Sequence, residues 1–117
     1  MPIEKAKTAY AQEKLNCAQS VLRGFQDCLS VADEQIAAAQ KLGGGRAEGG
    51  RCGALYAART LAPNDAAREE ISRRFVARAG SDQCREIRRQ KHLSCSGCVE
   101  LAATLLHAET AEKPRRG

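Results

Sequence analysis

Residues 94–106 read Ser-Cys-Ser-Gly-Cys-Val-Glu-Leu-Ala-Ala-Thr-Leu-Leu, and they combine the two signals that decide this fold. Apolar side chains recur there at spacings of three and four, the pattern of one buried helix face, at Leu101, Ala102, Leu105 and Leu106. Ser94 lies where a helix N-cap belongs. The stretch therefore predicts a helix that begins with the Cys-x-x-Cys pair Cys95 and Cys98.

The same periodicity extends to the N-terminal half of the chain. Residues 5–29 carry apolar side chains three and four apart and predict one amphipathic helix. Ser30 and Asp33 resemble a capping box, so residues 34–42 are expected to form a short second helix. A glycine-rich loop follows, because residues 43–53 hold six of the ten glycines.

Helix-stop and helix-start residues divide the C-terminal half. A third helix leaves the glycine-rich loop after Cys52 and is closed by Pro63. A fourth is capped by Asn64 or Asp65 and ends at Gly80. A fifth, shorter helix is expected next, and the helix from residue 95 is the last.

Composition favours helices over a sheet. Aromatic residues make up only 3% of the 117 residues, so the core must consist of Leu, Ile, Val and many Ala. We therefore predict an all-α fold, a compact bundle of about five to six short and medium helices with a glycine-rich loop. Residues 1–110 would form a single domain, and residues 111–117 a disordered basic tail.

Charge and hydropathy narrow the classes of function. The formal net charge is +5, but the arginines alternate with Glu and Asp as on a solvated helix face, which argues against nucleic acid as a partner. No run approaches the roughly 20 apolar residues of a membrane span, so no membrane insertion is expected. The charged residues 1–7 lack the apolar run of a secretory signal, so we expect a cytoplasmic location.

Six cysteines in a reducing compartment indicate metal binding or redox chemistry. Three of them, Cys52, Cys84 and Cys95, fall at or near predicted helix N-termini, Cys84 after a cap at Ser81. Unpaired backbone N–H groups and the positive end of the helix dipole favour an anion there, and thiolate is the form of cysteine that ligates metal and attacks disulfides.

The other candidate ligands are weaker. Cys28 lies eleven residues after Cys17 on the predicted first helix, about 16 Å away along its axis at about 1.5 Å per residue, so we assign Cys28 to the core. Cys17 alone is equally consistent with a ligand and with a structural residue. His92 stays a candidate ligand in a polar loop, and His107 is expected at the surface. Covalent c-type haem is excluded because the Cys-x-x-Cys pair is not followed by His.

Four short motifs in order resemble a known family. They are Asn16-Cys17-Ala18-Gln19-Ser20, Gly43-Gly44-Gly45 through Cys52-Gly53-Ala54, Cys84-Arg85-Glu86, and Cys95 to Ala103. Over roughly residues 9–108 the chain is similar to the redox-active proteins named for their C-GCAxxG-C-C cysteine pattern. One departure is Ala57, which stands where the resemblance implies the glycine of a Cys-Gly-Ala-x-x-Gly stretch.

The resemblance implies a set of site residues. The family cysteines fall on Cys17, Cys52, Cys84 and either Cys95 or Cys98, and we prefer Cys95 as the fourth. A similar cysteine domain accompanies the haem part of split-Soret cytochromes, where it is associated with an iron-sulfur centre. That association favours an iron-sulfur cluster as the cofactor here.

Three functions follow from the cysteines. The first is a small redox-active protein that binds an iron-sulfur cluster through four cysteines, for electron transfer or sensing, with an unidentified redox partner protein. The second is a thiol-disulfide protein that uses Cys95, Cys98 and Cys52. The third is a structural zinc site in an interaction module. No catalytic residue is assigned, and a homo-oligomer stays open.

Overall fold

The computed structural model describes residues 2–42, 48–90 and 93–111. Within these ranges the chain forms eight α-helices: α1 (Pro2–Gln12), α2 (Cys17–Gly24), α3 (Gln26–Leu29), α4 (Asp33–Ala38), α5 (Gly53–Leu61), α6 (Asp65–Ala79), α7 (Cys84–Gln90) and α8 (Cys95–Ala111). There are also two 3-10 helices in these ranges, Ala39–Leu42 and Glu48–Gly50. The all-α prediction is confirmed, although the helices are more numerous and shorter than expected.

The prediction of one helix over residues 5–29 is wrong. The chain leaves helical geometry after α1, where Lys14 adopts a left-handed conformation with φ 61°, and Asn16 then caps α2. Phe25 departs from helical angles and separates α2 from α3. The turn lets α1 pack back across α2, so closely that a Cβ on Gly24 would lie 2.6 Å from the Pro2 carbonyl oxygen. Burial of one apolar face against the other outweighs the continuous periodicity.

Three predicted caps in the C-terminal half are confirmed. Asn64 Oδ1 accepts a hydrogen bond of 2.8 Å from Ala67 N and begins α6, which ends at Gly80 in a left-handed conformation with φ 92°. Ser94 Oγ accepts a hydrogen bond of 3.0 Å from Gly97 N at the start of α8. These caps could be predicted from the sequence because each one acts on the backbone of its own helix.

Two predicted caps are wrong. Ser30 lies at the C-terminal end of α3 with φ 56°, and α4 begins later, after Ala32. Ser81 accepts a hydrogen bond of 3.0 Å from Gln83 N, so it forms a turn that ends directly before Cys84, the first residue of α7. In both segments the serine closes a local turn instead of starting the helix.

The core lies where α2, α5, α6 and α8 meet. Its largest fully buried side chains include Phe25, Leu55, Ile71, Phe75 and Leu106. Alanines fill the contacts between α2, α5 and α8 and let these helices approach closely. Of the helices in the described ranges, none is long and apolar enough to cross a membrane. The predicted tail from residue 112 onward and His92 lie outside the described residues.

Candidate functional site

Five of the six cysteines line one small cavity where α2, α5, α7 and α8 converge: Cys17, Cys52, Cys84, Cys95 and Cys98. The space between their side chains measures about 10 Å³, about the volume that one water molecule needs. Four of these cysteines are buried, and Cys95 is half-buried. Ile87 and Leu93 form its apolar wall, and Arg88 is the one cationic residue among the described residues that lines the cavity.

Four of these cysteines occupy helix N-termini. Cys52 is the N-cap of α5, while Cys17, Cys84 and Cys95 are the first residues of α2, α7 and α8. The sequence predicted this placement for three of them and missed Cys17, because residues 5–29 were read as one helix. Each helix directs the positive end of its dipole and its first N–H groups toward the thiols.

The sequence around Asn16 does contain a local signal for the start of α2. Asn16 Oδ1 accepts a hydrogen bond of 2.8 Å from Gln19 N, and Gln19 Oε1 accepts one of 3.1 Å from Asn16 N. This reciprocal pair is a capping box in the pattern Asn-x-x-Gln. The motif Asn16-Cys17-Ala18-Gln19 therefore encodes both the helix start and the position of its thiol.

Gly53 lets the thiols of two distant segments meet. A Cβ at this position would lie 2.7 Å from Cys17 Sγ and 3.0 Å from the Leu42 carbonyl oxygen. The sulfur of Cys17 therefore takes the space that any larger side chain would need. Cys52 is anchored at the same point, because its N–H donates a hydrogen bond of 2.7 Å to the Asp82 carbonyl just before α7.

The environment of Cys52 favours its neutral thiol. A hydrogen bond with the Cys17 thiol lowers the pKa of Cys52, but a hydrogen bond with Cys98, burial and the charge of Cys98 outweigh it and raise that pKa to about 12. Burial likewise raises the pKa of Cys84, against the opposing charge of Arg88. Without a bound metal, these thiols therefore keep their protons at neutral pH.

Arg88 and Tyr10 approach the same thiols. The negative charge that Cys84 carries when it is ionised, followed by a side-chain hydrogen bond with Cys95, raises the pKa of Arg88. Burial, then the charge of Cys95 and a hydrogen bond with it, raises the pKa of Tyr10. Sequence reasoning missed both residues. The i, i+4 spacing from Cys84 could have indicated Arg88, whereas no local pattern brings Tyr10 from α1 to this site.

The remaining candidates lie elsewhere. Cys28 is exposed on α3 and does not line the cavity, so its assignment to the core is wrong. The break at Phe25 turns its side chain away from the buried face of α2. His107 is half-buried on α8 and also does not line the cavity.

The donor chemistry of the cavity fits a group held by thiolates. Soft thiolate ligands select zinc and iron-sulfur clusters among biological metal centres. Among the described residues, no set of three or more His, Cys, Asp and Glu side chains is arranged around the position of a single ion. The thiols thus lie together in one cavity, where Cys52 forms hydrogen bonds with Cys17 and Cys98.

Fold and site together define a class, a small all-α protein with buried thiols at converging helix N-termini. A model of the family described as "Putative redox-active protein (C_GCAxxG_C_C)" matches residues 15–109, and the chain belongs to this family. The resemblance inferred from the motifs is thereby confirmed. No curated protein and no solved structure matches the chain. Ala57, the departure noted from the sequence, lies in the core at 2% exposure.

Proposed function

We propose that this protein is a redox protein whose buried thiols hold an iron-sulfur cluster for electron transfer or sensing. The observation that carries the proposal is the convergence of five thiols from four helices on one cavity. Cysteine thiolates are the usual ligands of such clusters, and four are needed. The family description, redox-active, is consistent with this use of the thiols.

The ligands would be Cys17, Cys52, Cys84 and Cys95, with Cys98 as the alternative fourth. When bound, an iron-sulfur cluster supplies one-electron redox chemistry. Arg88 and the N-termini of α2, α5, α7 and α8 place positive charge beside the thiolates and offset their negative charge. Since the pKa of Cys52 is about 12, its thiol must release a proton on ligation.

The test is analysis of the full chain for iron, sulfide and zinc after anaerobic purification or reconstitution. We expect iron and acid-labile sulfide together with visible absorbance, and loss of both in Cys17→Ser, Cys52→Ser and Cys84→Ser. Cys28→Ser is the matched control, because Cys28 is exposed and outside the cavity. Stoichiometric zinc without iron or sulfide would reject the proposal in favour of the structural zinc site.

Single variants of the Cys-x-x-Cys pair identify the fourth ligand. Cys98 forms a hydrogen bond with Cys52 deep in the cavity, whereas Cys95 is half-buried and contacts Arg88. If Cys95 is the ligand, Cys95→Ser loses the iron and Cys98→Ser retains it. The reverse result would assign ligation to Cys98.

A specific observation favours thiol-disulfide exchange as a second candidate. Cys95 is half-buried at the start of α8, and the buried Cys98 follows within the same first turn. The Cys95 thiolate would attack a partner disulfide and release one partner thiolate. Cys98 would then displace the second, leaving a Cys95–Cys98 disulfide and a reduced partner dithiol, a transfer of two electrons and two protons.

Redox titration of metal-free protein in glutathione buffers distinguishes this candidate. A two-electron couple that disappears in Cys95→Ser and in Cys98→Ser, and persists in Cys28→Ser, would support exchange. A couple that is unchanged when either residue of the pair is replaced contradicts it.

A further inference from the structure

A second concavity lies on the outer side of the thiol cavity, between α7 and the turn at Gly49 and Gly50. Its volume is about 790 Å³, and Cys84 and Arg88 line both this cleft and the thiol cavity. Its basic residues are Arg85, Arg88 and Arg89. Because they follow the i, i+3, i+4 spacing, all three lie on one face of α7.

Of the three arginines of this cleft, only Arg89 is paired with a carboxylate of the described residues. Glu86 Oε1 accepts hydrogen bonds from Arg89, at 2.7 Å from Nη2 and 3.2 Å from Nε. Among the residues the structure describes, no carboxylate lies within 4.0 Å of Arg85 or Arg88. All three arginines are exposed to solvent, and Glu86 occupies two of the N–H groups of Arg89, so Arg85 and Arg88 offer the N–H groups that a ligand can reach without displacing a carboxylate.

Among the described residues, the opposite wall is formed by Gly49 and Gly50. Gly49 and Gly50 have φ angles of 70° and 74°, and a Cβ on either would meet no heavy atom within 4 Å. Gln83 Nε2 donates a hydrogen bond of 3.2 Å to the Gly49 carbonyl and ties this wall to the start of α7. The cleft therefore lies between this turn and the face of α7 that carries the arginines.

We propose that this cleft binds a small anion, a ligand that presents phosphate or carboxylate oxygens to Arg85, Arg88 and Arg89. Guanidinium groups bind such oxygens bidentately, and several together select for more than one anionic group. A concave volume of about 790 Å³ lies within the range of small-molecule sites, which favours a small ligand over a macromolecular surface.

The site also has a defined place relative to the thiols. Arg88 contacts Cys84 and Cys95 on one side and lines the cleft on the other, so a bound anion would lie beside the redox centre. Anion binding in this cleft depends on the cleft and its charges, not on which group the thiols hold, so it goes beyond the proposed function.

The test is isothermal titration calorimetry of the anaerobically purified full chain with two probes, inorganic pyrophosphate and malonate. Binding of one probe in preference to the other identifies phosphate or carboxylate as the ligand chemistry. We expect Arg85→Gln/Arg89→Gln to weaken binding about tenfold or more, because two charge-assisted contacts are lost. Arg85→Lys, which keeps the charge without the fork, should lie in between.

The matched control is Arg74→Gln/Arg78→Gln on the exposed side of α6. This double variant also removes two arginine charges, but they lie outside the cleft, so it should change the affinity for either probe less than twofold. Equal weakening by both pairs, or no binding of either probe, would overturn the proposal. Binding of only a long polyanion, equally weakened by both pairs, would mean general charge attraction and overturn it too. All these variants keep the six cysteines, so their iron, sulfide and thiol contents test the proposed function separately.

Discussion

At the scale of single residues, the lack of a side chain at Gly53 lets the backbone of α5 approach the Cys17 thiol. We predict that Gly53→Ala lowers the free energy of unfolding by about 1–3 kcal/mol. The added methyl group would lie 2.7 Å from Cys17 Sγ and 3.0 Å from a backbone carbonyl oxygen, so the sulfur must move out of the cluster. Urea unfolding and metal content measure the two effects.

Gly97→Ala is the control for that substitution. Its Cβ would meet the flexible Leu93 side chain at 3.3 Å, and the residue lies in the first turn of α8, where alanine favours the helix. Its effect on unfolding should stay within about 1 kcal/mol. Equal losses for the two variants would mean that contact with Cys17 is not the cause.

The Cys52 thiol predicts a pH dependence of stability for the reduced, metal-free protein. Its folded pKa of about 12 lies above the ordinary thiol value of 9.0, so the folded state holds this proton more tightly than the unfolded chain. The stabilisation is complete below about pH 9 and is lost as the pH rises toward about 12. Urea unfolding across this range should show a steeper decline for the natural protein than for Cys52→Ala. Equal slopes would contradict the prediction.

At the scale of elements, the capping residue of α2 has more partners than an isolated cap. Asn16 caps α2 and also donates from its side-chain amide to the carbonyls of Ala39 at 3.2 Å and Gln40 at 2.8 Å. Asn64 caps α6 with the same 2.8 Å hydrogen bond, and the structure shows no such link from its amide within the described residues.

We therefore predict unequal losses for two chemically identical substitutions. Asn64→Ala should cost about 1 kcal/mol, the usual value of an N-cap. Asn16→Ala should cost about 1 kcal/mol more, because two hydrogen bonds to the 3-10 helix Ala39–Leu42 are lost with the cap. Chemical unfolding of both variants measures the difference, and equal losses would show that those two hydrogen bonds contribute nothing.

The helices also show which elements local sequence specifies. The caps at Asn64, Gly80 and Ser94 were predicted correctly, since each satisfies backbone groups of its own helix. The break before Asn16 was not predicted, because the apolar periodicity of residues 5–29 is the same whether α2 continues α1 or folds back on it. Packing across Gly24 makes that choice.

At the scale of the whole molecule, the thiols connect helices that are far apart in sequence, from Cys17 in α2 to Cys98 in α8. A group bound by them would stabilise the folded state, since the unfolded chain cannot offer the same site. We predict that loading with iron and sulfide raises the Tm by at least about 4 °C. Far-UV circular dichroism of loaded and stripped protein measures the shift. Cys28→Ser should show the same rise and Cys52→Ser none, and an unchanged Tm for the natural protein would contradict the prediction.

The sequence alone determined the helical class, the family and the starts of α5, α6 and α8, because alanine content, caps and glycines act on nearby residues of the chain. It also identified the cysteines of the cavity, through motif order. Only the tertiary structure decided that α1 folds back before Cys17, that Cys28 faces solvent, and that Arg88 and Tyr10 adjoin the thiols. These facts depend on how α1 packs on α2 and how four helix N-termini converge, and such contacts between distant segments have no local signature.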